Sequence, residues 1–411
     1  MPCGGDDPPK PPRERRLHAL LLSGPADAGR LSGPLASALD GTGPAILPLD
    51  ADMPAPRLRR LLGVFHPDVV VGPDGEARSR SGGKGTAPGT AVIISTSGST
   101  GEPKGVELSA AALRHSASAS LARLGARPGD RWLCCLPVTH VAGVQVLVRS
   151  LLSGSERAVA SRLDAAALRE SGCAYVSVVP TQLARLLAEP GGAAALAAFA
   201  AVLVGGAAAP AGLLERARAA GVRVVTTYGM SETCGGCVYD GVPLDGVRVR
   251  AGGDGLLRIS GPVLMNRYHS GPDLSGEFVT SDLGYVRDGR VVVRGRADDV
   301  INTGGHKVVP GEVAAALESC PGVREVVVVG RIDPEWGQRV TAVVVPADPA
   351  APPTLELLRT HVRKRLPRYA CPSEVVLTRA IPVLASGKPD LASLRKAGNV
   401  TDPGTISAPE R

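Results

Sequence analysis

The sequence predicts an α/β protein in two parts. One is a large N-terminal domain of helices packed on mainly parallel sheets, with a small β-rich subdomain; the other is a small α+β domain at the C-terminus. Three observations carry that reading. From Leu17 to Thr226 short apolar runs alternate with helical patterns, and strand, helix, strand repeated is the signature of parallel pairing. Near Gly253 the texture changes to short strands separated by turns. After Arg296 a further set of strands and helices reads as a unit of its own. The chain has 411 residues, 44% apolar and only 3% aromatic, so Leu, Val, Ile and Ala must build the core. A chain of this size buries roughly three-quarters of its unfolded surface. Disorder and a small disulfide-stapled scaffold are thereby excluded.

Taken in order, residues 1–16 are Pro-rich and mixed in charge and read as a disordered lead, without the basic start and apolar stretch of a signal peptide. Strands are expected at 68–71, 91–94, 131–136, 175–179, 201–204 and 222–226, with helices at 180–188 and 211–220. The Ser/Gly/Lys stretch 78–88 reads as a mobile loop. Residues 190–214 carry no formal charge and are long enough to span a membrane. They are mostly Ala, however, and are broken by Gly191-Gly192, Gly205-Gly206 and Pro210, which fits a short helix, a buried strand and a turn and argues against a span. Beyond Gly253, strands are expected at 255–260, 277–280, 285–287 and 290–294, the last two joined through Asp288-Gly289, a strong hairpin signal. The C-terminal unit reads as helix 310–318, strands 325–329 and 340–345, helix 354–366, strand 374–377 and helix 391–396. Pro310 suits a first helical turn and Thr354 an N-cap. The expected division is 1–16, 17–297, 298–399 and a tail at 400–411.

A net charge of +7 suits an anionic partner such as a nucleotide, phosphate or coenzyme, although an Arg-favouring composition gives the same sum. Nucleic acid is disfavoured because stacking platforms need aromatics that this chain lacks. The run Arg363-Lys364-Arg365 lies on an amphipathic helix pattern and reads as a solvated face. The eight cysteines have no framework spacing and read as reduced thiols of a cytoplasmic protein. Cys234 and Cys237 form a C-x-x-C, but the sequence offers no second ligand pair for zinc.

The most informative stretch runs from Ser95 to Gly105, directly after an apolar strand. Thr96, Ser97, Gly98, Ser99, Thr100 and Gly101 pack hydroxyls and glycines together, and Lys104 follows. Glycines let backbone N–H groups approach phosphate oxygens, hydroxyls donate further hydrogen bonds, and the lysine adds a point charge. It is not the Walker pattern, because Pro103 precedes the lysine and Gly105 follows it. The stretch resembles the phosphate loop of the acyl-adenylate-forming superfamily: acyl- and aryl-CoA ligases, nonribosomal adenylation domains and luciferases. Further matching motifs occur in order over nearly all of residues 90–395.

By chemistry alone, the carboxylate and hydroxyls of the segment from Thr227 to Thr233, at a strand end, suit a Mg²⁺-nucleotide. The resemblance implies that Glu232 binds Mg²⁺, and that Thr233 and Tyr228 contact the α-phosphate and adenine. In the segment from Thr280 to Gly284 a lone Asp has a ready structural use in a turn. The resemblance instead makes Asp282 the acceptor of both ribose hydroxyls, a task that suits an acceptor-only group. It also implies that Arg296 reaches the ribose or a phosphate, that Asp298 is the hinge, and that Gly304 and Gly305 line a pantetheine channel, where glycine allows a close backbone approach. Lys388, in Ser386-Gly387-Lys388-Pro389-Asp390, becomes the adenylation lysine of a mobile lid domain. Adenylation drives a carboxylate against an anionic phosphate, and a cation placed there can later be withdrawn.

On the acyl side the resemblance points to His140, Thr181, Gly205, Gly206 and Gly235. A serine elbow G-x-S-x-G is absent at Ser231, because Thr233 takes its last position. The segments around His140, Thr181-Gln182 and Tyr228 to Gly236 are most similar to the branch that ligates o-succinylbenzoate to coenzyme A in menaquinone biosynthesis. Cys234 and Cys237 depart from the commoner superfamily pattern. The implied protein is an AMP-forming acid–CoA ligase using ATP, Mg²⁺ and coenzyme A on a small carboxylic acid. A homodimer is compatible with it, and no nucleic-acid or membrane partner is implied. The alternatives are another aryl or acyl acid, transfer to a carrier protein's phosphopantetheine, or a nucleotide-binding protein without catalysis.

Overall fold

The computed structural model describes residues 14–97, 102–384 and 388–396. Apolar strands between Leu17 and Tyr268 form two seven-stranded sheets. In the first, Ala45–Asp50 pairs in parallel with Leu17–Leu22 and with Thr90–Ser97, and Val69–Val71 extends the parallel set. Pro103–Ser109 and Arg267–Tyr268 close one edge antiparallel. In the second sheet Trp132–Cys134, Tyr175–Val178, Ala201–Val204 and Val224–Met230 run parallel, and Gly235–Tyr239 turns back antiparallel. Helices Ala110–Leu124 and Val141–Ser153 fill the space between the sheets. One continuous core runs from Ile46 and Val92 through Leu113, Ala117, Val144 and Val148 to Trp132 and Leu203.

The β-rich subdomain is a four-stranded antiparallel sheet of Arg248–Ala251, Leu256–Ser260, Phe278–Arg287 and Arg290–Arg296. Its hairpin turns at Asp288 and Gly289, both with positive φ (50° and 71°), as a two-residue primed turn requires. The C-terminal unit has its own sheet, centred on the long hairpin Val323–Asp333 and Gly337–Pro346. Helices Pro310–Leu317 and Leu355–Arg363 cover it, and Val313, Leu317, Val344, Leu358 and Val362 form its core. Thr354 caps the second helix, its hydroxyl accepting from the Leu357 amide at 3.2 Å. The unit touches the larger one through Arg294–Glu312 at 2.5 Å, and the Ala211 amide donates to Glu318 at 2.9 Å.

Several expectations are revised. Arg15, placed in the disordered lead, bridges to Thr86 and donates to the carbonyls of Ala38 and Thr90, both at 2.9 Å, so the fold starts before Leu17. The stretch 78–88 is not a free loop. Ala77–Ser79 is an edge strand on Val69–Val71, and the Lys84 amide donates to His66 at 2.9 Å. The two strands expected at 277–280 and 285–287 are one, Phe278–Arg287, which continues through a register shift at Leu283 and Gly284. Residues 190–214 form helix Gly192–Ala197, strand Ala201–Val204 and the start of helix Ala211–Ala219. No helix among the described residues is long and apolar enough to cross a membrane.

Candidate active site

The hydroxyl-rich stretch sits on a β-hairpin. Thr90–Ser97 leads in, Pro103–Ser109 leads out, and Thr96 lies opposite Lys104. Lys104 is therefore a strand residue, not a loop residue. Gly98, Ser99, Thr100 and Gly101 lie outside the described residues, as does the Ser97 side chain. Gly105 is required by packing: a Cβ there would stand 2.6 Å from the Phe65 ring and 2.9 Å from Ile93. A cleft of about 520 Å³ opens beside the hairpin, lined by Arg57, Arg60, Ser95, Thr96 and Pro103. The two arginines come from helix Ala55–Phe65, and Arg60 pairs with Glu102 at 2.6 Å.

A second group assembles around Asp282. Cross-strand pairing puts Asp282 opposite Arg296, whose guanidinium approaches its carboxylate at 3.5 Å and Asp298 at 3.0 Å. The Tyr228 hydroxyl donates to the other Asp282 oxygen at 2.8 Å. Burial, and then the Asp282 charge, push the Tyr228 phenol up, so it stays a donor. Asp282 is buried, with one oxygen held by Tyr228 and the other approached by Arg296. The expected turn at Asp282 is instead a strand, and Tyr228 lies on Val224–Met230.

Glu232 stands just beyond that strand in a single helical turn, Ser231–Thr233. Its carboxylate accepts from the Tyr268 hydroxyl at 2.8 Å. Thr233 is differently placed from the expectation of a phosphate contact. Its hydroxyl is buried, accepts from the Met230 amide at 2.9 Å and donates to the Gly235 carbonyl at 2.8 Å. It thus shapes the turn that presents Glu232. Cys234 and Cys237 are fully buried in the core. Burial pushes both thiols up, Cys237 to about 11, which makes them packing groups.

The acyl-side candidates converge at the C-terminal ends of the parallel strands, where open α/β sheets place ligands. Gly205 packs on Thr227 so closely that a Cβ would meet its hydroxyl at 2.1 Å, and Gly206 faces Val179, next but one to Thr181. On the other side of Thr227, Gly236 and Gly235 lead to Gln145 and Val141, in the helix that His140 begins. Gln182 is absorbed by capping: its carbonyl oxygen accepts from the Val179 amide at 3.0 Å.

His140 is accessible at the helix start, yet it is ringed by protein. Burial, then the charge of Lys388, lower its pKa below the ordinary 6.5; Arg57 acts the same way and Asp50 opposes them. Lys388 is exposed on a return loop in which the Leu384 amide donates to the Lys388 carbonyl at 2.8 Å. Ser386 and Gly387 lie outside the described residues. Arg57, which lines the hairpin cleft, and Lys388 therefore both act electrostatically on His140. Gly304 and Gly305 turn the hairpin of Ile301–Thr303 and His306–Val308 with φ of 55° and 80°; among the described residues a Cβ at Gly305 would meet nothing within 4 Å, whereas one at Gly304 would meet the Trp336 ring.

Similarity to known proteins agrees with this geometry. A family model of AMP-binding enzymes matches residues 81–269, and the AMP-binding enzyme C-terminal domain matches 312–388. The probable 2-succinylbenzoate–CoA ligase of Mycobacterium tuberculosis is 45% identical over 360 residues, covering 82% of this chain and 93% of that protein. The chain belongs to the AMP-binding enzymes.

Among AMP-binding enzymes of known structure, the o-succinylbenzoate CoA synthetase of Bacillus subtilis, in complex with its acyl-adenylate intermediate, is 26% identical, with a TM-score of 0.71 over 94% of this chain and 89% of that one. The ATP-bound MatB of Rhodopseudomonas palustris shares the fold at 24% identity, with a TM-score of 0.80 over 93% and 88% of the two chains. The fold is therefore that of the adenylate-forming enzymes. Two features of this AMP-binding enzyme escape sequence reasoning. Arg57 sits on a short helix far from any motif, and Tyr268 reaches Glu232 only through sheet pairing. For Mg²⁺, the donor type fits a hard cation: Glu232 offers a carboxylate, one oxygen of which the Tyr268 hydroxyl holds at 2.8 Å.

Proposed function

We propose that this AMP-binding enzyme is an AMP-forming acid–CoA ligase acting on o-succinylbenzoate. The observation that carries the reading is that the charge of Lys388, from the C-terminal unit, reaches His140 at the acyl side, as does that of Arg57, which lines the hairpin cleft. In the first step a carboxylate oxygen of the acid attacks the α-phosphorus of ATP, and pyrophosphate leaves with the electron pair of the broken P–O bond. Thr96 and Lys104 hold the β- and γ-phosphates, and Asp282, clamped by Tyr228 and Arg296, takes the ribose hydroxyls. Lys388 stabilises the charge gathered where carboxylate and phosphate meet; removing one such preorganised donor costs on the order of 10²- to 10³-fold in rate. Glu232 would hold Mg²⁺, which when bound neutralises phosphate charge.

In the second step the C-terminal unit turns about Asp298. Lys388 withdraws, Gly304 and Gly305 line the thiol channel, and the coenzyme A sulfur attacks the acyl carbon, expelling AMP. His140 is uncharged near pH 7 and serves as a neutral partner beside the acid. Thr181, Gly205, Gly206 and Gly235 form the wall that shapes the acyl pocket. Seven free cysteines among the described residues support a reducing cytoplasmic setting. The test is pyrophosphate release across a panel of aromatic and aliphatic acids, with and without coenzyme A. O-succinylbenzoate should give release and a thioester. Turnover of another acid alone would replace the substrate, and release by none would reject the ligase.

A further inference from the structure

The strand Arg267–Tyr268 pairs antiparallel with Pro103–Ser109, setting Arg267 opposite Glu107 and Tyr268 opposite Val106. Hydrogen bonds fix it on both sides: the His269 amide donates to Gly105 at 2.7 Å and the Asn266 amide to Glu107 at 2.8 Å. Side chains alternate across a sheet. Arg267 and His269 turn to one face, where buried Glu107 takes them at 3.4 and 2.8 Å. Burial works to raise the Glu107 pKa, but His269, the Ala87 amide and Arg267 outweigh it and keep the carboxylate ionised. Tyr268 is thereby forced onto the opposite face, where both the phosphate-hairpin lysine and Glu232 lie. Its hydroxyl donates to Glu232 Oε1 at 2.8 Å, and Lys104 Nζ stands 5.1 Å from the centre of its ring. The same segment holds the Glu232 backbone, the Met265 amide donating to the Glu232 carbonyl at 2.9 Å.

We infer that Tyr268 is a positioning residue of the MgATP site. Its hydroxyl fixes the carboxylate that takes the cation, and its ring seats the lysine that takes the terminal phosphates. One side chain thus sets the distance between the two charges that must grip the triphosphate together. Tying Oε1 leaves Oε2 for the cation and fixes the rotamer of Glu232, the usual work of an outer partner at a metal site. The ring face holds an ammonium without neutralising it, so Lys104 keeps its full charge for phosphate. The inference rests on the reading of Glu232 as the metal-binding carboxylate.

The test uses the full chain, a non-hydrolysable ATP analogue and Mn²⁺, whose binding to the protein–nucleotide complex is read from its paramagnetic resonance. Tyr268→Phe removes only the hydroxyl. It should weaken Mn²⁺ about 10-fold with an unchanged thermal midpoint and unchanged metal-free nucleotide binding. Tyr268→Leu should lower metal-free nucleotide affinity as well, by about 5-fold, through loss of the cation–π seat. Combining Tyr268→Phe with Glu232→Gln should weaken Mn²⁺ no further than Glu232→Gln alone. Parent-like Mn²⁺ affinity in Tyr268→Phe, or additive losses in the double variant, would overturn the inference while leaving Glu232 in place. If Glu232→Gln itself binds Mn²⁺ like the parent, the metal reading of Glu232 falls, and the Tyr268 inference with it.

Discussion

Single side chains in this protein act through the partner that aims them. Tyr228 and Arg296 hold the two oxygens of Asp282 in a fixed direction, which suits the ribose role proposed for it. Tyr228→Phe removes a donor to a charged group, a loss of about 1.5 kcal/mol or more. It should raise the KM for ATP about 10-fold, measured by pyrophosphate release, with little effect on the KM for the acid. His140 illustrates the opposite sign of control. Its pKa is lowered by burial and then by Lys388, so protons bind the unfolded chain more readily below the ordinary value of 6.5. Its contribution to stability is complete above pH 6.5 and is lost as pH falls through that value toward the lower folded pKa. His140→Gln should flatten part of that decline in a thermal-unfolding series from neutral to mildly acidic pH. An unchanged slope would show that the imidazole is not shielded.

At the scale of elements, a hairpin and a short helix build the cleft proposed to hold the triphosphate. Gly105 lies where three side chains converge, with Phe65, Ile93 and His269 all inside the reach of a Cβ. Gly105→Ala should cost about 1–3 kcal/mol by overpacking, seen as a lowered denaturation midpoint, and should impair ATP use because Lys104 is the next residue. Helix Ala55–Phe65 supplies Arg57 to the same cleft. Arg57→Ala should raise the KM for MgATP several-fold and, by removing a like charge, raise the pKa of His140. A proton-resonance titration of the imidazole reads that shift directly.

For the whole molecule, the proposed reaction would need two arrangements of two units, and the reach of the Lys388 charge to His140 fits the first of them. Lys388→Ala should abolish acyl-adenylate formation while sparing thioesterification of supplied acyl-adenylate, and should raise the His140 pKa. Equal loss of both half-reactions would reject alternation between the units. Gly305→Leu should do the reverse and block only the coenzyme A step, since its φ of 80° disfavours a side chain and the channel would be filled. Full coenzyme A turnover by that variant would reject the channel.

The sequence by itself determined the kind of chemistry. The hydroxyl, glycine and lysine run at 95–105, and Glu232, Asp282 and Lys388 beyond it, are chemistry-bearing residues whose order along the chain is visible without coordinates. It also determined most elements, because apolar runs of the right length and turn signals such as Asp288-Gly289 act locally. Only the tertiary structure decided who aims whom. Lys104 became a strand residue through pairing with Thr96, and Asp282 lies within one long strand because pairing continues through a register shift. Thr233 turned inward to hold its own turn, while Tyr268 and Arg57 entered the site from segments that carry no motif. Hydrogen bonds such as Tyr268 to Glu232 and Tyr228 to Asp282 join residues 36 and 54 positions apart. Contacts made across sheets leave no period in a sequence, and they exist only once the strands have found their neighbours.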